Sequence, residues 1–292
     1  MVTIEPLQKN NYRLKICVNF IGISEYNDTI TNIFLLKQIN QFINIIKELN
    51  FAISYAYFQK SNFTDEYGIL FVPSVPNDFS QLYEKLKINP NLNVLAYKTK
   101  DEITYLSQNT RLSNYYYTFT WRISIDAFIQ SHLEIHQHIH TLVDCWLMKD
   151  KKYTYYGIGG ESGIYYKNNI DKFETSLCLT NSEPIYNDYL CNISDNKIML
   201  VDYDNIKLNV LITAKYKILV VNISRNGLKG LAKQIEELNF DQIIYIGCSD
   251  KAIDYDSNIL IKKYKINRLH KLNQHPENNN SDLSHVIEFM LK

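Results

Sequence analysis

Glycine is scarce in this chain, 9 of 292 residues, and cysteine is limited to five widely spaced positions, Cys17, Cys145, Cys178, Cys191 and Cys248. An odd number of cysteines without a CxxC pair or a Cys/His cluster excludes a disulfide framework and the usual zinc or iron–sulfur spacings. A reducing, cytoplasmic compartment suits it best. Charge of either sign in excess is also missing: 31 Lys and Arg balance 31 Asp and Glu. Zero net charge argues against broad electrostatic binding of nucleic acid and leaves room only for a local basic groove. No apolar run is long enough for a membrane span, and Met1 to Asn10 has no apolar signal core, so no membrane association is expected. A hydrophobic fraction of 46% with 21% charged residues excludes an intrinsically disordered chain.

Hydrophobic periodicity is plentiful. Residues 13–20, 51–59, 67–73 and 92–97 read as strands, and 32–49 and 78–87 as helices, with Ile33, Leu36, Ile39, Phe42, Ile43, Ile46 and Leu49 on one helical face. This order suggests a small α+β unit. A polar, tyrosine-rich connection leads through Tyr115, Tyr116 and Tyr117 to a short strand at 119–123, and a helix follows over 126–147. Beyond residue 150, strands at 153–156, 175–179, 198–201, 217–222, 242–247 and 286–291 alternate with helices at 182–193, 228–238 and 250–262. Such alternation predicts a mostly parallel sheet covered on both faces, and a closing C-terminal hairpin would suit a methyltransferase sheet better than a dehydrogenase one. The expected organisation is an α/β protein: an α+β domain over 1–115 and a Rossmann-like domain over 116–292.

Several segments have the residue types that chemistry needs. Four of the nine glycines fall in Gly157-Ile158-Gly159-Gly160-Glu161-Ser162-Gly163; this is either a turn where backbone approaches a nucleotide-like ligand or a plain tight turn. Asn222 to Leu228 follows an apolar strand, and loops at the carboxyl ends of such strands hold ligands in open α/β sheets. Cys248 stands at the end of the 242–247 strand, just before a helix whose N-terminus favours a thiolate. Cys178 and Cys17 read as core packing. In the last strand His285 and Glu288 are both candidates for a general base, or are ordinary strand-end residues. His132, His136, His138 and His140 crowd one helix, and the i, i+4 spacing of His132 and His136 could bind metal. No flanking Glu, Asp or Cys completes a site, so they read as a solvated helix face and no metal is expected. Tyr115, Tyr116, Tyr117 and Trp121 could stack on unpaired bases or pack at a domain junction.

In this order the segments resemble the RNA (tRNA/rRNA) uracil-C5 methyltransferase family. Asn222-Ile223-Ser224-Arg225-Asn226-Gly227-Leu228 is similar to that family's DPPRxGL motif, and Ile244-Tyr245-Ile246-Gly247-Cys248-Ser249-Asp250 to its I-Y-[IV]-S-C-N-P motif. Phe128-Ile129-Gln130-Ser131-His132 resembles F-F-Q-V-N, Tyr155-Tyr156-Gly157-Ile158-Gly159 resembles Y-C-G-x-G, and Tyr12-Arg13-Leu14-Lys15 resembles [YF]-R-x-[KR]. The resemblance implies a transferase that uses S-adenosylmethionine, with RNA, most simply a tRNA, as substrate. It makes Cys248 the nucleophile that adds to carbon 6 of uracil and Glu288 the base. Gln130, Gly157, Gly159, Thr180 and Asn222 would line the cofactor site, and Arg225 would steady the substrate loop.

The chain departs from the family at defined places. Asn222 replaces an aspartate and both prolines of DPPR are absent, and Thr180 or Asn181 stands where a carboxylate grips the cofactor ribose. The family's H-x-E is lengthened by one residue to His285-Val286-Ile287-Glu288; on a strand, one residue turns the side chain to the other face. These departures keep open a second reading: a catalytically inactive relative that binds RNA or a protein partner.

Overall fold

The computed structural model describes residues 2–4, 13–18, 33–100, 102–127, 133–193, 197–223, 225–273 and 283–292. The chain divides into two compact units, Met1–Glu134 and Ile135–Lys292. A division at 115/116, as the sequence suggested, would cut a hairpin through one of its own arms, β7 Arg111–Tyr116, which pairs antiparallel with β8 Phe119–Ser124.

The first unit is built on a six-stranded sheet in sequential order: β1 Val2–Ile4, β2 Arg13–Val18, β3 Ile53–Lys60, β4 Tyr67–Pro73, β5 Leu92–Lys98 and β6 Ile103–Tyr105. The β4–β5 pair is parallel, as a crossover through helix α2 (Ser80–Leu86) requires, and the remaining pairs are antiparallel. Helix α1, Ile33–Glu48, buries Leu35, Ile39, Phe42, Ile43 and Ile46, the i, i+3, i+4 stripe of an amphipathic helix. Phe42 meets the rings of Phe58 and Phe71 from β3 and β4 at centroid distances of 5.5 and 6.0 Å. Removing a ring so enclosed costs about 3–5 kcal/mol.

The second unit opens with helix α3, Leu133–Trp146, and continues with β9 Thr154–Gly159, α4 Ser162–Asn168, β10 Thr175–Thr180, α5 Glu183–Asn192, β11 Ile198–Leu200, α6 Leu208–Leu211, β12 Lys217–Asn222, α7 Leu231–Glu237, β13 Gln242–Gly247, α8 Asp250–Leu260, β14 Tyr264–Asn273 and β15 Leu283–Leu291. Its seven-stranded sheet runs β11-β10-β9-β12-β13-β15-β14. The pairs among β9 to β13 are parallel, and β15 is antiparallel to both β13 and β14. All six residues of β9, of β12 and of β13 are buried, as expected where helices cover both faces of parallel strands. The order changes direction between β9 and β12, so their carboxyl ends, Gly159 and Asn222, border the crevice where open α/β sheets take ligands. This is the Rossmann-like methyltransferase sheet, with the reversed last pair that the sequence pattern suggested. β14 was not foreseen. Its polar and basic residues, Lys265, Asn267, Arg268, His270 and Lys271, hide an edge strand's period of two. Among the described residues, no helix is long and apolar enough to cross a membrane.

Candidate functional site

Strand register brings three of the sequence candidates to one edge of the sheet. Asn222 of β12 pairs with Gly159 of β9 on one side and Ile246 of β13 on the other. Cys248 follows one residue after the end of β13. It is half-buried. Ser249 caps α8, its hydroxyl accepting from the Ala252 N–H at 3.4 Å, which fixes the chain's exit from β13. Opposite Gly247 in the antiparallel pair stands His285, 4% exposed, with Nε2 2.9 Å from Asp250 Oδ1. Burial lowers the His285 pKa. Asp250 and Asp254 oppose that shift and Lys271 adds to it.

Glu288 is not part of this edge. It pairs with Ile244, three residues back from Gly247 along β13. Its carboxylate is held by the side-chain amide of Gln242, by Asn267 Nδ2 at 2.6 Å and by Arg268 Nε at 3.2 Å. The lengthened His285–Glu288 spacing therefore leaves the histidine beside Cys248 and takes the carboxylate down the strand to a structural network.

The glycines of the turn answer to the protein's own packing. Gly159 has φ +88, and a Cβ there would lie 2.0 Å from the Asn222 carbonyl oxygen; the two strand ends meet backbone to backbone. A Cβ at Gly157 would lie 2.8 Å from the Ser162 side chain and 3.1 Å from Cys178 Sγ, which is buried as core packing. The Tyr189 hydroxyl accepts from the Gly163 N–H at 2.9 Å and reaches the Gly160 carbonyl at 2.8 Å, and the Gly160 N–H donates to the Asn222 carbonyl. Thr180 is fully buried, and its hydroxyl accepts from the Ser182 N–H at 3.2 Å. The Tyr203 hydroxyl donates to the Leu179 carbonyl at 3.1 Å and also bonds the Thr180 side chain and the backbones of Asn181 and Gly159, spanning the ends of β9 and β10. Burial raises its pKa. Arg225 is exposed in the turn after β12. Gln130 and His132 lie outside the described residues, and of Cys17 only its place in β2 is described.

One cluster contradicts the sequence reading. His136 and His140 do not lie on a solvated face; they are 1% and 5% exposed, with rings stacked 4.3 Å apart. Their neighbour is Glu161, 3% exposed, from the glycine turn. Its Oε1 is 3.3 Å from His136 Nδ1, its Oε2 is 3.9 Å from His140 Nε2, and Oε2 also accepts from Asn222 Nδ2 at 2.9 Å. Burial drives the His136 pKa down to about 3 and holds that of His140 well below its usual value. The sequence reading singled out the i, i+4 spacing of His132 and His136 and not this pair, although both belong to the same histidine-rich segment. The partner carboxylate was not legible there, because it comes from a distant turn.

The fold defines the class of molecule this is: an α/β chain with the Rossmann-like sheet of methyltransferases. No family model and no curated protein matches the chain in sequence. Among solved structures it is similar to the Pyrococcus abyssi tRNA (uracil-54, C5)-methyltransferase in complex with S-adenosyl-L-homocysteine, with a TM-score of 0.72 and 13% identity over 97% of this chain and 76% of that one. It also matches Trm5b from Pyrococcus abyssi, with a TM-score of 0.50 and 9% identity over 77% of this chain and 73% of that one. At these identities the likeness is one of fold.

Proposed function

We propose that the protein is an S-adenosylmethionine-dependent RNA methyltransferase that acts on carbon 5 of uracil, with Cys248 as nucleophile. The observation that carries this reading is the position of Cys248 at the carboxyl end of β13, level with the β9–β12 crevice, with the buried His285, paired to the exposed Asp250, across the strand. The nearly full-length likeness to a tRNA uracil methyltransferase supports it.

The cofactor, when bound, supplies the methyl group as a sulfonium donor. The residues at the crevice suit its nucleoside through hydroxyls. Thr180 and Tyr203 at the ends of β9 and β10 can exchange hydrogen bonds with ribose hydroxyls, although without the bidentate grip of a carboxylate. Cys248 acts on the base. Its thiolate adds to carbon 6, a C–S bond forms, and the electron pair of the 5,6 double bond moves to carbon 5, which becomes nucleophilic. After carbon 5 has been methylated, a base removes its proton; the electron pair re-forms the double bond and expels the thiolate. His285 is the group we assign to this proton, because burial keeps the imidazole neutral and Asp250 can stabilise it once charged. In the first unit Tyr115 and Phe63, 47% and 50% exposed with rings 5.8 Å apart, offer aromatic faces to an unpaired base. Tyr116 and Trp121 are buried and serve packing.

A second reading, a methyltransferase fold that binds RNA or a protein without catalysis, is favoured by one observation. Thr180 and Asn222 already satisfy protein groups, Tyr203 and Glu161 respectively. Calorimetry with S-adenosylmethionine and S-adenosylhomocysteine separates the two. Binding that is weakened by Thr180→Val and Tyr203→Phe together supports the enzyme. Absence of binding at millimolar cofactor overturns it in favour of the second reading. Transcribed tRNA carrying 5-fluorouracil, which traps the cysteine adduct, then tests the chemistry.

A further inference from the structure

The proposed reaction makes no use of three deeply buried polar side chains of the second unit, His136, His140 and Glu161. One ligand-type atom from each lies within 4.8 Å of the other two. We infer that these residues form a site for a single divalent transition-metal ion, with zinc the best match, which ties α3 to the glycine turn.

The argument begins with the helix. Positions 136 and 140 are one turn apart on α3, so both imidazoles leave the same face. Their rings are stacked, 8° from parallel, with one nitrogen of each within 3.9 Å of the Glu161 carboxylate, so a turn of one ring about its Cβ–Cγ bond brings both lone pairs toward one ion. Glu161 stands at the N-cap of α4, yet its side chain does not cap that helix; its carboxylate meets the histidines instead.

Two of the separations, each to a different oxygen of Glu161, are near those of ligands around one ion, and the three ligand atoms fall within 4.8 Å of one another. Zinc bonds of about 2.1 Å in a tetrahedron place neighbouring ligand atoms about 3.4 Å apart. The nitrogen–oxygen distances here are 3.3 and 3.9 Å, longer than the roughly 2.7–3.2 Å of a direct N–H···O bond. Asn222 supplies the outer support that ligating carboxylates commonly have, its amide donating to Glu161 Oε2.

Charge points the same way. Neutral imidazoles are the ligating form, and a cation beside a buried carboxylate offsets its charge. Two nitrogens and one carboxylate oxygen, without a thiolate, suit zinc, cobalt or nickel better than copper(I), and better than magnesium or calcium, which prefer all-oxygen sets. A water would complete four-coordination. This site does not depend on the methyltransferase reading and stands or falls separately from it.

The test uses the tag-free full chain. Elemental analysis after purification, and zinc titration after chelator treatment and dialysis, should give one equivalent of zinc. Cobalt(II) should give visible ligand-field bands of a four- or five-coordinate nitrogen–oxygen site, and magnesium should not compete. His136→Gln, His140→Gln and Glu161→Gln should each weaken zinc binding at least tenfold, roughly the loss seen when a supporting group is removed. Wild-type protein that is folded by circular dichroism but takes up no zinc at micromolar free concentration would overturn the proposal, whether or not the variants fold. So would stoichiometric binding that none of the three substitutions changes.

Discussion

His285 lies directly across the β13–β15 pair from Gly247, and its Nε2 is 2.9 Å from Asp250 Oδ1, two residues beyond Cys248. A buried imidazole is thus fixed at the mouth of the helix that the cysteine introduces. Replacing His285 by Gln should leave adduct formation with 5-fluorouracil RNA intact and slow methyl turnover by about 10²–10⁴-fold, the usual share of a general base. The depressed His285 pKa also predicts that turnover holds below pH 6.5, where an ordinary histidine begins to protonate. Loss of crosslinking together with turnover would make the residue structural.

Glu288 should behave in the opposite way. Its carboxylate serves Gln242, Asn267 and Arg268 inside the sheet. Glu288→Ala leaves the fully buried Gln242 amide short of a partner, at a cost of about 1–3 kcal/mol. Urea denaturation should show that loss, while the yield of the Cys248 crosslink per folded molecule stays at the wild-type level.

The close meeting of strand ends gives a paired test of the glycine turn. Gly159→Ala forces a Cβ to within 2.0 Å of the Asn222 carbonyl at φ +88, and should destabilise the protein by about 3 kcal/mol or more. Gly230 has φ −62 and no atom within 4 Å of a new Cβ. Gly230→Ala should therefore be neutral or add about 0.4–1 kcal/mol by restricting the unfolded chain. Thermal melts of the two variants beside the wild type would show both effects.

Acid should weaken the metal-free protein. Burial holds His136 at about 3 and His140 well below its ordinary value, whereas in the unfolded chain both titrate near 6.5. Below pH 6.5 the unfolded state binds more protons than the folded one. The stability present above that pH then falls by about 1.4 kcal/mol per pH unit for each histidine. Chelator-treated protein denatured with urea between pH 7.5 and 5 should show this slope, and His136→Asn should remove the His136 share. A flat profile would show that folding does not depress these pKa values.

Much of the second unit was legible because its parallel strands are continuous apolar runs: β12 and β13 fall where the sequence places them, Lys217–Asn222 and Gln242–Gly247. The glycine turn was legible by clustering alone, but the reason for its glycines, the backbone approach of Asn222, was not, since that contact joins residues far apart in sequence. The helix α3 was expected, although its inward face was misread. The expected apolar side, Phe128, Ile135, Ile139, Leu142, Val143 and Trp146, held Ile139 and Val143 of the buried row but not its histidines, His136 and His140. Histidine passes for a surface residue until its partner is known. The cysteine's place could be read from strand and helix signals, whereas the different surroundings of Glu288 and His285 needed the strand register.

The position of β15 also sets an order of events during synthesis. This strand, the last in the chain, lies between two strands made before it and supplies the buried Val286, Ile287 and Phe289. Until it emerges from the ribosome, β13 and β14 have no common partner, and an apolar sheet edge next to Cys248 stays open to the surroundings. A nascent chain stalled before residue 283 would therefore carry Cys248 on an unfinished sheet whose open apolar edge favours association with its neighbours.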